Sequence, residues 1–92
     1  MRPETAEAVG LQALAWLAGH VELLPVFLGA SGVSLTDVKD RAGDSEFLAA
    51  VLDFVTMDDA WVVAFCDSAG LSYDDPLMAR QALPGGELPN WT

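Results

Sequence analysis

The chain has 92 residues and a formal net charge of −10, with 4 basic against 14 acidic residues, and 52% of it is hydrophobic. This length predicts one domain whose core is large enough to fold without disulfides or a structural metal. The single cysteine, Cys66, excludes an internal disulfide. Because an acidic protein repels phosphate groups and anionic lipid, the charge argues against nucleic acid and membrane surfaces as direct partners.

Apolar residues recur at helical spacing, and glycines or prolines separate the apolar segments, which predicts an all-α bundle of about six short helices. The first helix spans residues 3–18 and begins at Pro3, a residue suited to a first turn. It is apolar on nearly every side, so we expect it to be central. The second helix spans residues 21–30 and carries Pro25 in its early turns, where a proline kinks the helix or shifts its start.

The third predicted helix, residues 35–42, is short and needs packing to persist. Ser34 precedes it as an N-cap, and Asp37 lies three residues after Ser34, which is the spacing of a capping box. Asp37 and Arg41 are four residues apart, so they also suit an ion pair along the helix.

The fourth predicted helix, residues 45–56, follows an Asp44 cap and has the clearest amphipathic pattern in the chain. The fifth, residues 59–69, has a composition that a buried strand would also accept. Its length, the preceding Asp58 cap and the following Gly70 favour a helix.

The sixth predicted helix, residues 73–83, begins after Ser72 and is stopped by the sequence Pro-Gly-Gly. We therefore expect a single helical domain over residues 1–86 and a tail over residues 87–92. Leu88 and Trp91 are the tail's apolar side chains. Trp91 either folds back on the core as a lid or binds a partner, so both residues are candidate partner-binding residues.

A short sequence motif of glycine, serine and aspartate occurs twice, 38 residues apart. Its members are Gly32, Ser34 and Asp37 in the first copy, and Gly70, Ser72 and Asp75 in the second. In each copy the glycine can end one helix and the serine can start the next. The repeat suggests two helix-turn-helix units related by pseudo-twofold symmetry. The alternative is that such caps recur in any helical protein.

Most acidic residues fall at or just before the first turn of a predicted helix, where carboxylates bind free backbone N–H groups and complement the helix dipole. The doublets Asp58 with Asp59 and Asp74 with Asp75 could jointly hold a hard cation. However, the chain has no loop of alternating oxygen ligands around a central glycine. We expect no metal and no cofactor.

His20 and Cys66 are the residues that nucleophilic catalysis would require, but they belong to different predicted helices. Cys66 lies within an apolar run, where a thiol usually packs, and His20 beside Gly19 suits an exposed junction. The chain has no phosphate loop and no nucleophile elbow. We therefore assign no catalytic residues; an enzyme that uses His20 or the acidic doublets is a remote alternative.

The stretch of residues 32–52 resembles, without a gap, the helix-turn-helix of TetR-type repressors. The matching positions are Gly32, Val33, Ser34, Val38, Gly43, Glu46, Leu48, Ala50 and Leu52. The resemblance implies that Ser34 caps a helix that enters the major groove. It also implies that aromatic and basic residues near that helix contact DNA.

The departures from that family fall on the DNA-contacting positions, because Ala42 and Ser45 replace the usual phenylalanine and lysine. Lys39 and Arg41 are the basic residues of this region, and aspartates surround them. A DNA-binding regulator that uses Ser34, Lys39 and Arg41 is therefore the alternative function, and we expect the scaffold to persist without DNA binding.

The whole chain resembles a family of short, acidic, helical bacterial proteins catalogued as a domain of unknown function, family 3572. The resemblance rests on apolar and capping patterns in residues 13–17, 22–28 and 47–54. It implies the helical fold and no particular chemistry.

The lack of a catalytic motif and the hydrophobic content of 52% together predict a non-enzymatic helical protein that acts through protein–protein interaction or self-association. Residues 44–92 hold nine acidic residues and one basic residue, so a basic protein suits it best as a partner. The absence of a leader or a long apolar run predicts a cytoplasmic location.

Overall fold

The computed structural model describes residues 1–83, and all regular structure in that range is α-helical. The helices are α1 (Pro3–Ala18), α2 (Leu24–Ser31), α3 (Leu35–Arg41), α4 (Ser45–Val55), α5 (Asp59–Ala69) and α6 (Asp75–Ala82). The predicted all-α bundle of six helices is confirmed. The predicted domain boundary after residue 86 lies outside the described residues, as do Leu88 and Trp91.

The second helix begins later than predicted, at Leu24 rather than at residue 21. Pro25 fixes this start, because a proline has no N–H to donate and fits a helix best in its first turn. Residues 21–23 form a turn instead, and the Leu24 N–H donates to the His20 carbonyl at 3.0 Å.

The last helix is shorter than the predicted 73–83, and its start is set in the same way by Pro76. Ser72 is therefore not its N-cap, which is a correction to the prediction. Ser72 instead donates its backbone N–H to the Asp75 carboxylate at 3.1 Å, and this bond closes the turn before the helix.

The three other predicted caps are confirmed. The Asp44 carboxylate accepts from the Glu46 N–H at 3.0 Å, and that of Asp58 accepts from the Ala60 N–H at 2.8 Å. Ser34 and Asp37 form a full capping box, in which the Ser34 hydroxyl accepts from the Asp37 N–H at 3.2 Å.

The predicted ion pair between Asp37 and Arg41 does not form. The Asp37 carboxylate accepts from the Ser34 N–H at 3.4 Å, so the capping box holds it at the start of α3. Within residues 1–83 the ion pairs are Arg2 with Glu4 and Arg80 with Asp53.

The glycines of the two motif copies end helices, as predicted. Gly32 and Gly70 both have the left-handed conformation, with φ of 73° and 72°. The halves α1–α3 and α4–α6 match in part. α1 contacts α5 as α2 contacts α4, which twofold symmetry requires. However, α6 packs on both α1 and α4, whereas α3 packs closely on no other described helix. The contacts therefore agree with a twofold relation for the first two helices of each half and disagree with it for the third.

The core lies between α1, α4 and α6, and α1 has the predicted central position. Gly10 is buried where α1 crosses α4; a Cβ atom there would lie 2.9 Å from the Leu48 Cβ. The four phenylalanines are buried, with Trp16 and Trp61 packed against them. These aromatic residues belong to the core, as their helical spacing predicts.

Candidate functional site

A groove with a volume of about 210 Å³ lies between α2 and α4. Its lining residues are Phe27, Ala30, Ser31, Ala50, Asp53, Phe54 and Met57. We call it the α2–α4 groove.

The floor of the groove is an aromatic pair. The rings of Phe27 and Phe54 meet edge to face, with their centroids 5.4 Å apart. Both side chains are almost fully buried, and the Phe54 ring also stacks on Trp61 at 4.9 Å. Contacts on several sides hold this floor rigid.

The walls are small and exposed. Ala30 and Ala50 are exposed alanines on opposite helices, so neither side closes over the floor. Met57 stands at one end with 75% of its surface exposed. The groove therefore offers a fixed aromatic floor and one flexible apolar side chain.

Asp53 provides the charge of the groove. Its carboxylate accepts from Arg80 Nε at 2.6 Å, and this bond ties α6 to the rim. The Arg80 side chain is 16% exposed and that of Asp53 is 56% exposed, so the aspartate still faces solvent. Glu46 lies on the same exposed side of α4, about two turns before Asp53.

The residues of the DNA-binding alternative lie on α3 and at its N-cap, and none of them lines this groove. The Ser34 hydroxyl is occupied by its cap bond, and Lys39 and Arg41 are exposed in the last turn of a seven-residue helix. Asp37 and Asp40 are exposed on the same short helix. The basic side chains therefore share their surface with acidic ones.

The structure does not bring His20 and Cys66 together. The His20 ring packs on Trp16, with centroids 4.3 Å apart, while the buried Cys66 Sγ donates to the Ser72 carbonyl at 3.3 Å. Burial raises the pKa of the Cys66 thiol, and the charges of Asp75 and Asp67 add to this effect. Such a thiol is a poor nucleophile.

The acidic doublets serve separate helix starts. Asp58 caps α5 and Asp75 closes the turn before α6. Within residues 1–83, no three metal-ligating side chains lie close enough to hold an ion. Also within that range, no helix combines the length and apolar character needed to cross a bilayer.

One further side-chain contact joins α5 to the turn before α6. The Tyr73 hydroxyl donates to Asp67 at 2.8 Å, and this bond raises the pKa of the tyrosine. Like the Arg80 to Asp53 bond, this contact does not follow from any local pattern in the sequence. The exposed stripe of α4 at Glu46, Ala50 and Asp53 could have been read from helical spacing.

A family model described as protein of unknown function (DUF3572) matches residues 3–86. The chain therefore belongs to that family, as its core and capping patterns indicated. No curated protein and no solved structure matches the chain. The resemblance of residues 32–52 to TetR-type repressors is not confirmed.

Proposed function

We propose that this DUF3572 protein is a non-enzymatic docking protein that binds a basic, amphipathic segment of another protein in the α2–α4 groove. The observation that carries the proposal is the open apolar groove over Phe27 and Phe54, whose α4 side belongs to the acidic segment of residues 44–92. An apolar helix face that enters such a groove is a common mode of peptide recognition.

The size of the groove favours a side chain over a small-molecule ligand. Its volume of about 210 Å³ is below the roughly 300–1,000 Å³ of typical small-molecule pockets. The alanine walls leave room for one large apolar side chain to reach the floor. Burying one such anchor contributes about 1.5–3 kcal/mol, so micromolar binding needs further contacts. Met57 and the half-exposed Val26 of α2 are available for these.

The charge of the molecule favours a basic partner. The α4–α6 half and its flanking residues, 44–92, hold nine acidic residues and one basic residue. Asp53 lies in the groove and Glu46 beside it, so a lysine or arginine next to the apolar anchor finds a carboxylate on the α4 side. A second copy of the chain would bring another charge of −10 to the interface, which disfavours self-association.

The groups that catalysis would use support a non-enzymatic role. The carboxylates of Asp58 and Asp75 bind backbone N–H groups at helix starts, and Cys66 is buried with a raised pKa. Each group therefore has a structural partner in the fold. We propose that these contacts stabilise the helices and that none of the three residues turns over a substrate.

Fluorescence anisotropy of labelled peptides tests the proposal. We expect the full chain to bind a basic amphipathic helical peptide. It should not bind the same peptide with its lysines replaced by glutamates. Ala50→Trp fills the groove and should weaken binding at least about tenfold, which is the loss of about 1.4 kcal/mol. Ala64→Trp is the matched control, because Ala64 is an exposed helical alanine that does not line the groove.

Equal binding of both peptides, or equal losses in the two variants, would overturn the proposal. Sedimentation of the full chain in the micromolar range should show a monomer, and a dimer lost in Ala50→Trp would assign the groove to self-association instead. Retention of duplex DNA at low salt, abolished by Lys39→Ala, would favour the regulator alternative, because even a weak phosphate binder retains DNA under that condition.

A further inference from the structure

We infer that the partner segment is an α-helix that lies along α4 and carries two basic residues seven positions apart, with a large apolar residue between them. The inference rests on the proposed docking role of the α2–α4 groove and adds the sequence pattern that the groove selects. In this arrangement Glu46 and Asp53 bind the two basic residues, and the apolar residue enters the groove beside Ala50.

The first observation is the narrow exposed stripe of α4. The exposed residues of this 11-residue helix are Glu46, Ala50 and Asp53, and its remaining residues are buried or half-buried. The three exposed residues follow one another at intervals of four and three positions, which places them on one face of the helix. The helices α1, α2 and α6 pack on other sides of α4. The stripe therefore has the width of a seam that one further helix covers.

The second observation is the spacing of the charges in the stripe. Glu46 and Asp53 are seven residues apart, which is a rise of about 10.5 Å along the helix axis. Seven residues of a partner helix have the same rise and bring two side chains to one face within about 20°. Two basic residues at that spacing can therefore both face α4. Ala50 lies between the two carboxylates and leaves room for an apolar side chain to reach the floor at Phe27 and Phe54.

Both carboxylates of the stripe can accept from a partner. Within residues 1–83 the ion pairs are Arg2 with Glu4 and Arg80 with Asp53, so Glu46 has no ion pair in that range. Asp53 accepts from Arg80 Nε through Oδ1, yet its side chain is still 56% exposed. The stripe therefore offers one carboxylate that Arg80 holds in place and a second one at the other end of the seam.

The opposite wall of the groove carries no charge. Residues 23–35, which include all of α2, contain no acidic and no basic residue. Ala30 lines the groove, and the half-exposed Val26 lies four positions before it on the same face of α2. A helix between the two walls therefore turns its basic edge to α4 and an apolar edge to α2, and this asymmetry fixes its rotation about its own axis.

The pattern excludes a second copy of the chain as the occupant. The basic residues of the chain are Arg2, Lys39, Arg41 and Arg80, and no two of them are seven positions apart. The chain itself therefore does not contain the segment that the stripe selects. The occupant is a helix of a different protein.

Two labelled helical peptides of identical composition test the inference by fluorescence anisotropy at low salt. Each carries one leucine anchor and two lysines. In the heptad peptide the lysines stand three positions before and four positions after the leucine, and in the comparison peptide they stand three before and two after. The lysines of the comparison peptide lie about 140° apart around the helix, so only one of them can face α4. The full chain should bind the heptad peptide about two- to fivefold more tightly, the effect of one exposed ion pair.

Glu46→Gln should abolish this preference, because it removes one of the two carboxylates that read the spacing. Binding of the comparison peptide should stay nearly unchanged, since its one facing lysine can still bind Asp53. Glu7→Gln is the matched control, because Glu7 is an exposed glutamate of α1 that does not line the groove, and it should keep the preference. A preference that survives Glu46→Gln would overturn the inference.

Failure of the inference differs from failure of the docking proposal. Equal binding of the two peptides, weakened in both cases by Ala50→Trp, would sustain docking in the groove and overturn the spacing pattern. No binding of either peptide would contradict the docking proposal and this inference together.

Discussion

Arg80 and Asp53 are joined by a 2.6 Å hydrogen bond across 27 residues of sequence, and this bond connects α6 to the rim of the α2–α4 groove. The arginine is largely buried and the aspartate half-exposed, so the pair both stabilises the fold and leaves a carboxylate facing the groove. It links the core built by α1, α4 and α6 to the surface that we propose for docking.

Asp53→Asn should lower the free energy of unfolding by about 0.5–1 kcal/mol, the range for a partly exposed ion pair. It should also weaken binding of the basic peptide, mainly through a slower association rate. Urea denaturation and stopped-flow binding measure the two effects. Asp59→Asn removes an exposed carboxylate outside the groove and is the control. Identical association rates for the two variants would show that Asp53 has no part in binding.

Gly10→Ala should destabilise the fold although alanine is the better helix former. The new methyl would lie 2.9 Å from the Leu48 Cβ, too close for a side chain whose Cβ is fixed to its backbone. Such overpacking costs about 1–3 kcal/mol, more than the roughly 0.5–1 kcal/mol that alanine gains over glycine in a helix. Gly29→Ala in α2 has open space around it and should stabilise. The urea midpoints of the two variants should therefore move in opposite directions.

Ser34→Ala and Ser72→Ala should differ although the sequence presents the two serines as equivalents. Ser34 caps α3 through its hydroxyl, so its loss should cost about 1 kcal/mol and destabilise α3 first. Ser72 contributes its backbone N–H to Asp75, and alanine keeps that donor. Hydrogen exchange at the amides of α3 and α6 measures both changes. Equal losses of protection would mean that the copies are capped alike.

Cys66 should make the stability of the fold depend on alkaline pH. Its pKa is raised in the folded chain, so the unfolded chain releases the thiol proton at lower pH than the folded chain does. The free energy of unfolding should therefore fall as the pH rises past the ordinary pKa of a cysteine thiol, with the Tyr73 hydroxyl adding to the fall at still higher pH. Cys66→Ala should flatten the first part of that decline, measured by urea midpoints across alkaline pH. An unchanged slope would assign the decline to other groups.

The sequence was sufficient for the helices because their signals are local. Ser34, Asp44 and Asp58 mark helix starts within three residues, and glycines at 32 and 70 mark helix ends. The two wrong starts, at residues 21 and 73, share one cause: helical spacing extends each helix by two or three residues beyond the start that Pro25 or Pro76 sets in the first turn.

The groove could not be predicted in the same way, because its floor depends on contacts between helices. Helical spacing predicts Phe27 and Phe54 as core residues. Only the packing of α2 on α4 leaves their ring edges open between two alanines. The Arg80 to Asp53 bond likewise joins residues whose separation matches no helical or turn period. Charge patterning predicts a basic partner, and that partner class stays a prediction.

The most direct test of the docking role is a titration of the methionine-methyl-labelled full chain with the basic amphipathic peptide. The peptide should shift the Met57 resonance in a saturable way, more weakly at high salt, and leave Met1 and Met78 unmoved. Shifts confined to Met1 or Met78, or no saturable shift at Met57, would contradict the assignment of the α2–α4 groove as the binding site.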